Sequence, residues 1–454
     1  MIERRASILS DKGKTEKPKP CPISTPTLSK KSDQSFDPYD YGKEDGIGLL
    51  GASVHLMRST IGSGILMMPY AMKNLGCLTG TILIIFVGLL YYHNLHILVS
   101  TEYHLCKLFK VKRLSLVGVT KKSFQLAPYP INKFGSLVIF LIYLYLSIPT
   151  APATYLIVIS SNIRLMANFF DVELDNTWVI TAIIVPFTLF CQMRRILKIL
   201  VPFSSISNIF TFVMAGVLIA CSIIYRKADV SANVIGDLYF IPKGFAMFIL
   251  SVRCTGIILP VKNSMKNPKR FSGLTGSINV AGLSIIFIYY SFALICYLNY
   301  GEEVHENILT NLPSKNYVSF VTYLLYTSAL AVTYILAFFI CFDCFWSSQL
   351  ESYLKDGLFK TILESTVRTA INVVAYFLAV YVPQISLIAA MAGTLGIIIE
   401  IALPAFLQML VQLREKQKSC ITILKDLFII AISGVLFCMS TARCIRDVIK
   451  LYSD

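Results

Sequence analysis

Charged side chains are scarce in this chain. They make up 15% of its 454 residues, against 55% hydrophobic. A soluble domain carries roughly 25% charged residues, so a soluble globular protein is excluded. Other absences narrow the function. No G-x-x-x-x-G-K-[ST] run occurs, which argues against an ATP-driven pump. No H-E-x-x-H pair or G-x-S-x-G elbow occurs, and the 5 histidines do not form a metal-ligand cluster, so neither an enzyme, a metal nor a cofactor is expected. No Asn-x-Ser/Thr acceptor is present, and no cleavable signal peptide is evident. The 12 cysteines are scattered, mostly inside apolar runs. Their one C-x-x-C spacing, Cys341 and Cys344, stands alone in such a run, so neither a zinc site nor a disulfide framework is indicated.

What is present is a series of apolar runs of about 20 residues, the length that crosses a bilayer as a helix. They fall near 47–70, 78–100, 135–158, 177–192, 200–225, 242–261, 274–299, 317–342, 366–383, 386–411 and 424–444. The fold class expected is an all-α polytopic membrane protein of about eleven transmembrane helices. Residues 1–45 are polar, with Lys, Pro, Ser and Asp, and read as a disordered cytosolic tail ahead of a transmembrane domain over 46–450.

The charge is basic, 41 Lys and Arg against 26 Asp and Glu. If the tail is cytosolic, the inner loops carry Lys107, Lys110, Lys112 and Arg113, then Arg194, Arg195 and Lys198, then Lys262, Lys266, Lys269 and Arg270, then Arg414, Lys416 and Lys418. The outer loops carry Asp171, Glu173 and Asp175, then Glu302, Glu303 and Glu306. That asymmetry follows the positive-inside rule and supports the short fourth run as a span. It also puts the C-terminus on the extracellular or lumenal side. The basic loops are separated by spans and build no continuous surface, so nucleic acid is not a partner; anionic lipid suffices to explain them. Plasma membrane and endolysosomal membrane remain alternative locations.

Two runs are interrupted. The first reads His55-Leu-Met-Arg-Ser-Thr-Ile-Gly-Ser-Gly-Ile-Leu-Met-Met-Pro69 and continues to Lys73-Asn74. The sixth ends Arg253-Cys-Thr-Gly-Ile-Ile-Leu-Pro260-Val-Lys262-Asn263. Both contain Gly-Ile, two or three apolar residues, Pro, and then Lys-Asn. Glycine costs a helix roughly 1 kcal/mol and proline about 3. Unpaired backbone groups are tolerated at membrane depth only against protein, ligand or a wet cavity. A matched pair of broken helices five spans apart is the mark of an inverted-repeat transporter with its site at the breaks. A plain packing kink is the alternative.

The interrupted first run resembles the first span of the proton-coupled amino acid transporters, within the amino acid/auxin permease superfamily. His93-Asn94-Leu95-His96 resembles the end of that family's second span and Pro202-Phe203-Ser204 the start of its fifth. Leu259-Pro260-Val261-Lys262-Asn263 resembles the exit of its sixth, and Arg368-Thr369-Ala370 with Val382-Pro383 its ninth. The resemblance implies a five-plus-five inverted repeat with broken helices 1 and 6: a first repeat over about 46–225, a second over about 240–411, and an extra span at about 424–444. It implies a secondary active transporter moving small amino acids with protons by alternating access. Ile61, Gly62, Ser63 and Gly64 would bind the substrate's ends, with Arg253, Cys254 and Thr255 at the second break. The Thr333-Tyr334 pair would also belong to the substrate site, or else serve as interhelical glue. His55 would couple protons, or else be a hydrogen-bonded interface histidine.

The chain also departs from the family. Where the family's sixth span has an aromatic, Glu and Gly, this one reads Val252-Arg253-Cys254, and Lys262 replaces an acidic residue. A lone arginine at mid-depth costs at least about 2.5–3.5 kcal/mol. It would form a structural ion pair with Glu400, hold an anionic substrate group, or snorkel to water. These departures also motivate a second reading, a transport-deficient relative acting as a nutrient sensor or signalling receptor.

Overall fold

A computed structural model describes residues 36–42, 46–147, 149–193, 196–225, 232–349, 357–382, 384–414 and 420–453. Most of the expected tail, residues 1–35, lies outside the described residues. Among those residues the protein is helical, and its extended pairing is the isolated bridge between Ile47 and Met265.

The interrupted first run is two helices, α1 (Leu49–Thr60) and α2 (Met68–Leu75), joined through a 3-10 turn at Ser63–Met67. Then come α3 (Cys77–Phe109), α4 (Leu116–Leu126), α5 (Gly135–Ser147), α6 (Thr150–Phe169), α7 (Asn176–Gln192) and α8 (Ile196–Ile224). The sixth run is likewise split, into α9 (Ile241–Val252) and α10 (Thr255–Asn263). The rest is α11 (Ser277–Tyr300), α12 (Tyr317–Gln349), α13 (Leu358–Tyr381), α14 (Ile385–Gly396), α15 (Leu403–Arg414) and α16 (Cys420–Ser453). A π-helical turn, Ile397–Ala402, links α14 to α15.

Among the described residues, seven helices are long and apolar enough to cross a membrane, and Ile131–Ile142, Asn176–Gln192 and Ile209–Ile224 form shorter apolar helices. The expected number of about eleven counted α1 with α2, and the shorter helices, as spans. The third run also differs from one continuous helix: α5 ends at Ser147 and α6 starts at Thr150, with Pro149 as its N-cap.

Both halves of the broken spans are packed from outside. The isolated bridge sets Ile47, just ahead of α1, against the exit of α10: the Ile47 amide donates to the Ser264 carbonyl and the Lys266 amide to the Ile47 carbonyl, each at 3.0 Å. Pro38–Tyr41 forms a 3-10 turn within the expected tail. Tyr39 stacks on Tyr103 of α3 at 4.5 Å, and Lys262 lies over the Tyr39 ring. Beneath it Lys262 pairs with Glu102, both buried. On the other side α9 packs closely on α14: a Cβ on Gly393 would sit 1.8 Å from the Ala246 carbonyl oxygen. Small residues at such crossings let backbones approach.

Candidate functional site

The two breaks touch each other. Helix α1 stops because Ile61 turns extended (φ −75°, ψ 110°) and Gly62 follows at φ −147°, ψ −148°. Helix α9 stops in the same way at Arg253 (φ −59°, ψ 121°), and Cys254 (φ −147°, ψ 12°) starts α10. A Cβ on Gly64 would lie 2.6 Å from the Ser251 hydroxyl, so only glycine lets the segments meet here. The Tyr289 hydroxyl, from α11, reaches the carbonyls of Thr60 and Ser251 at 3.2 Å each. It thereby serves an orphan carbonyl on each side of the crossing.

The second break is held by α3 and the π-turn. The Cys254 amide donates to the Tyr91 hydroxyl at 2.5 Å. That hydroxyl lies 3.2 Å from Thr255 Oγ1 and 3.1 Å from Glu400 Oε2. The amide and hydroxyl of Thr255 are turned toward the same carboxylate. The Glu400 carboxyl, 1% exposed, therefore occupies the N-terminus of α10, where free amides and the helix dipole favour negative charge. The π-turn that carries it inserts an extra residue into the α14–α15 helix, a feature common at functional positions.

The first break keeps its donors available. The Gly62 amide faces the Tyr289 hydroxyl, and the Tyr155 hydroxyl faces Ser63. Among the described residues the amides of Ser63 and Gly64 have no backbone acceptor. A half-helix start with free amides beside buried hydroxyls suits a carboxylate.

Ile61, Gly62, Ser63, Gly64, Cys254 and Thr255 thus come together. Arg253 caps α9, partly buried, and its charge acts on both Glu400 and Tyr155. Glu400 takes a hydrogen bond from Tyr91, and the Arg253 charge lies within electrostatic reach of its carboxyl, the arrangement that the expected ion pair requires. The π-turn directs the Glu400 carboxyl at the start of α10. Thr333 and Tyr334 are committed elsewhere. The Thr333 hydroxyl donates back to the Ala329 carbonyl at 2.8 Å. Tyr334 donates to Asn372 of α13 at 2.5 Å and packs on Phe187 of α7 at 4.6 Å. Tyr334 thus ties α12 to α13 and α7, while Thr333 bonds within its own helix. His55 lies on the exposed face of α1, six residues or about 9 Å before Ile61, with no imidazole hydrogen bond among the described residues. Sequence reasoning missed Tyr91, Tyr92, Tyr155, Tyr289 and Tyr326. A tyrosine inside an apolar run is usually ordinary core, so no linear pattern marks them.

The family described as transmembrane amino acid transporter protein matches residues 45–446. The chain belongs to this family. It is a multi-pass membrane protein of amino acid transport, not an enzyme. It is 25% identical over 414 residues to the proton-coupled amino acid transporter-like protein pathetic of Drosophila melanogaster, covering 88% of this chain and 85% of that protein. It is 24% identical over 382 residues to the amino acid transporter AVT3C of Arabidopsis thaliana, covering 78% and 80%. Among solved structures, it is similar to a Na+-coupled sialic acid symporter in a substrate-bound outward-open state, at 13% identity and a TM-score of 0.48 over 90% of this chain and 91% of that one.

Proposed function

We propose that this member is a secondary active transporter that moves small amino acids together with protons by alternating access around its two broken helices. The supporting observation is the contact between the breaks, with the amides of Ser63 and Gly64 lacking a backbone acceptor among the described residues and the α10 N-terminus already occupied by Glu400. The substrate carboxylate binds at the first break, because the α10 N-terminus is already occupied by the Glu400 carboxyl. Proton coupling is supported by the name of the Drosophila relative and by two titratable candidates, His55 on α1 and Glu400 beside the second break.

The test is uptake of a labelled small amino acid panel into proteoliposomes, with and without an inward acid gradient, for the native chain and for His55→Ala. Gradient-stimulated uptake that is lost in His55→Ala makes His55 the coupling group. Stimulation that survives moves coupling to another group, with Glu400 first. Uptake indifferent to the gradient removes protons from the mechanism. A folded native protein that binds amino acids without moving them would favour the sensor reading, which the arginine at the second break motivates.

A further inference from the structure

Two fully enclosed hydroxyls at this crossing have no partner among the described residues: Tyr92 Oη on α3 and Tyr326 Oη on α12. Their residues are 6% and 0% exposed. Buried polar atoms are rarely left without a hydrogen bond, and each exception calls for a cause. These two are not scattered. Cys254 and Tyr289 lie within electrostatic reach of the Tyr92 hydroxyl, and Tyr155 and Tyr289 within reach of that of Tyr326. Both thus neighbour Tyr289, the tyrosine that spans the two breaks, Tyr92 from the Cys254 side and Tyr326 from the side of Tyr155 and Ser63.

Packing, not hydrogen bonding, aims Tyr92. A Cβ on Gly282 of α11 would lie 2.7 Å from its ring, so the ring fills a slot that only glycine leaves. Its other flank meets Tyr91 edge-on at 5.6 Å. A ring held in this way keeps its hydroxyl at the crossing whether or not anything is there to meet it.

We propose that Tyr92 and Tyr326 complete their hydrogen bonding on the side chain of the transported amino acid. This rests on the transport reading above. A phenol hydroxyl both donates and accepts, so a pair of them matches a neutral side chain that does the same: a hydroxyl or a carboxamide. An aliphatic side chain of the same shape leaves both phenols unpaired, and a site built for a substrate hydroxyl discriminates strongly against the analogue that lacks it. The preferred substrate is then a small hydroxy amino acid, with its carboxylate on the Ser63 and Gly64 amides.

The experiment compares counterflow of labelled threonine and valine, which have the same shape, in proteoliposomes of the native chain, Tyr92→Phe and Tyr326→Phe. The native protein favours threonine over valine by about tenfold or more, as one lost hydrogen bond with its partner left bare would give. Each phenylalanine variant brings the ratio toward one, and a native-like gel-filtration profile and melting temperature in detergent show that it is folded. Competition of native threonine uptake by serine against 2-aminobutyrate gives the same readout without any variant. Equal handling of both pairs by the native protein, or a ratio unchanged in both variants, overturns the inference: the hydroxyls then serve water alone, and transport stands. A native protein that moves no amino acid overturns the transport reading instead.

Discussion

At the residue scale, the centre of the site is a carboxylate that the chain supplies to itself. Glu400 meets Tyr91, and the Thr255 amide and hydroxyl turn toward it at the start of α10. Tyr91→Phe removes one hydroxyl that serves Cys254, Thr255 and Glu400 together. It should destabilise the protein by about 1–3 kcal/mol, because the Cys254 amide is left buried without an acceptor. A lowered melting temperature in detergent checks this, and an unchanged one would mean that water replaces the phenol. Glu400→Gln keeps the shape and removes the charge. If the proton travels with Glu400, the variant should retain amino acid counterflow but lose stimulation by an acid gradient. Counterflow and stimulation both kept would leave His55 as the candidate. Arg253 was legible as an anomaly in the sequence, but its geometry was not: the partner of a charge across a helix break depends on where two backbones turn.

At the element scale, the breaks themselves were readable. Gly62 and Gly64 sit at the first interruption; the second falls at Arg253 and Cys254, a few residues ahead of Gly256 and Pro260, which lie inside α10. The clamp on them was not readable. Helix α9 meets α14 through Gly393, which abuts the Ala246 carbonyl. Gly393→Val would force the pair apart. It should cost about 1–3 kcal/mol or more in stability, as overpacking does, and should slow flux beyond what the lost stability accounts for. Thermal unfolding alongside initial uptake rates separates the two effects. Unchanged values for both would show that the interface yields freely.

At the scale of the whole molecule, charge placement predicts orientation. Helix α16 starts at Cys420, which is exposed and follows the basic stretch Arg414, Lys416 and Lys418. Basic loops stay on the cytosolic side, so a membrane-impermeant maleimide should label Cys420 only when the cytosolic face is opened. The signal is the labelling lost on Cys420→Ser. Labelling from the opposite face of intact cells would invert the topology and with it the side from which the first break is reached.

The sequence by itself determined that this is a helical membrane protein, where its helices are interrupted, and which family it resembles. Those properties follow from local composition: apolar runs long enough to span, glycine and proline inside them, and charge between them. Only the tertiary structure decided what the breaks face. It bonded the Tyr334 hydroxyl to Asn372, and it put Glu400 at α10 although 144 residues of chain lie between Glu400 and Thr255. It also brought five tyrosines from α3, α6, α11 and α12 to one crossing. Such meetings depend on helix rotation and crossing angle, which the linear pattern leaves open because every tyrosine in an apolar run looks the same until its neighbours are known.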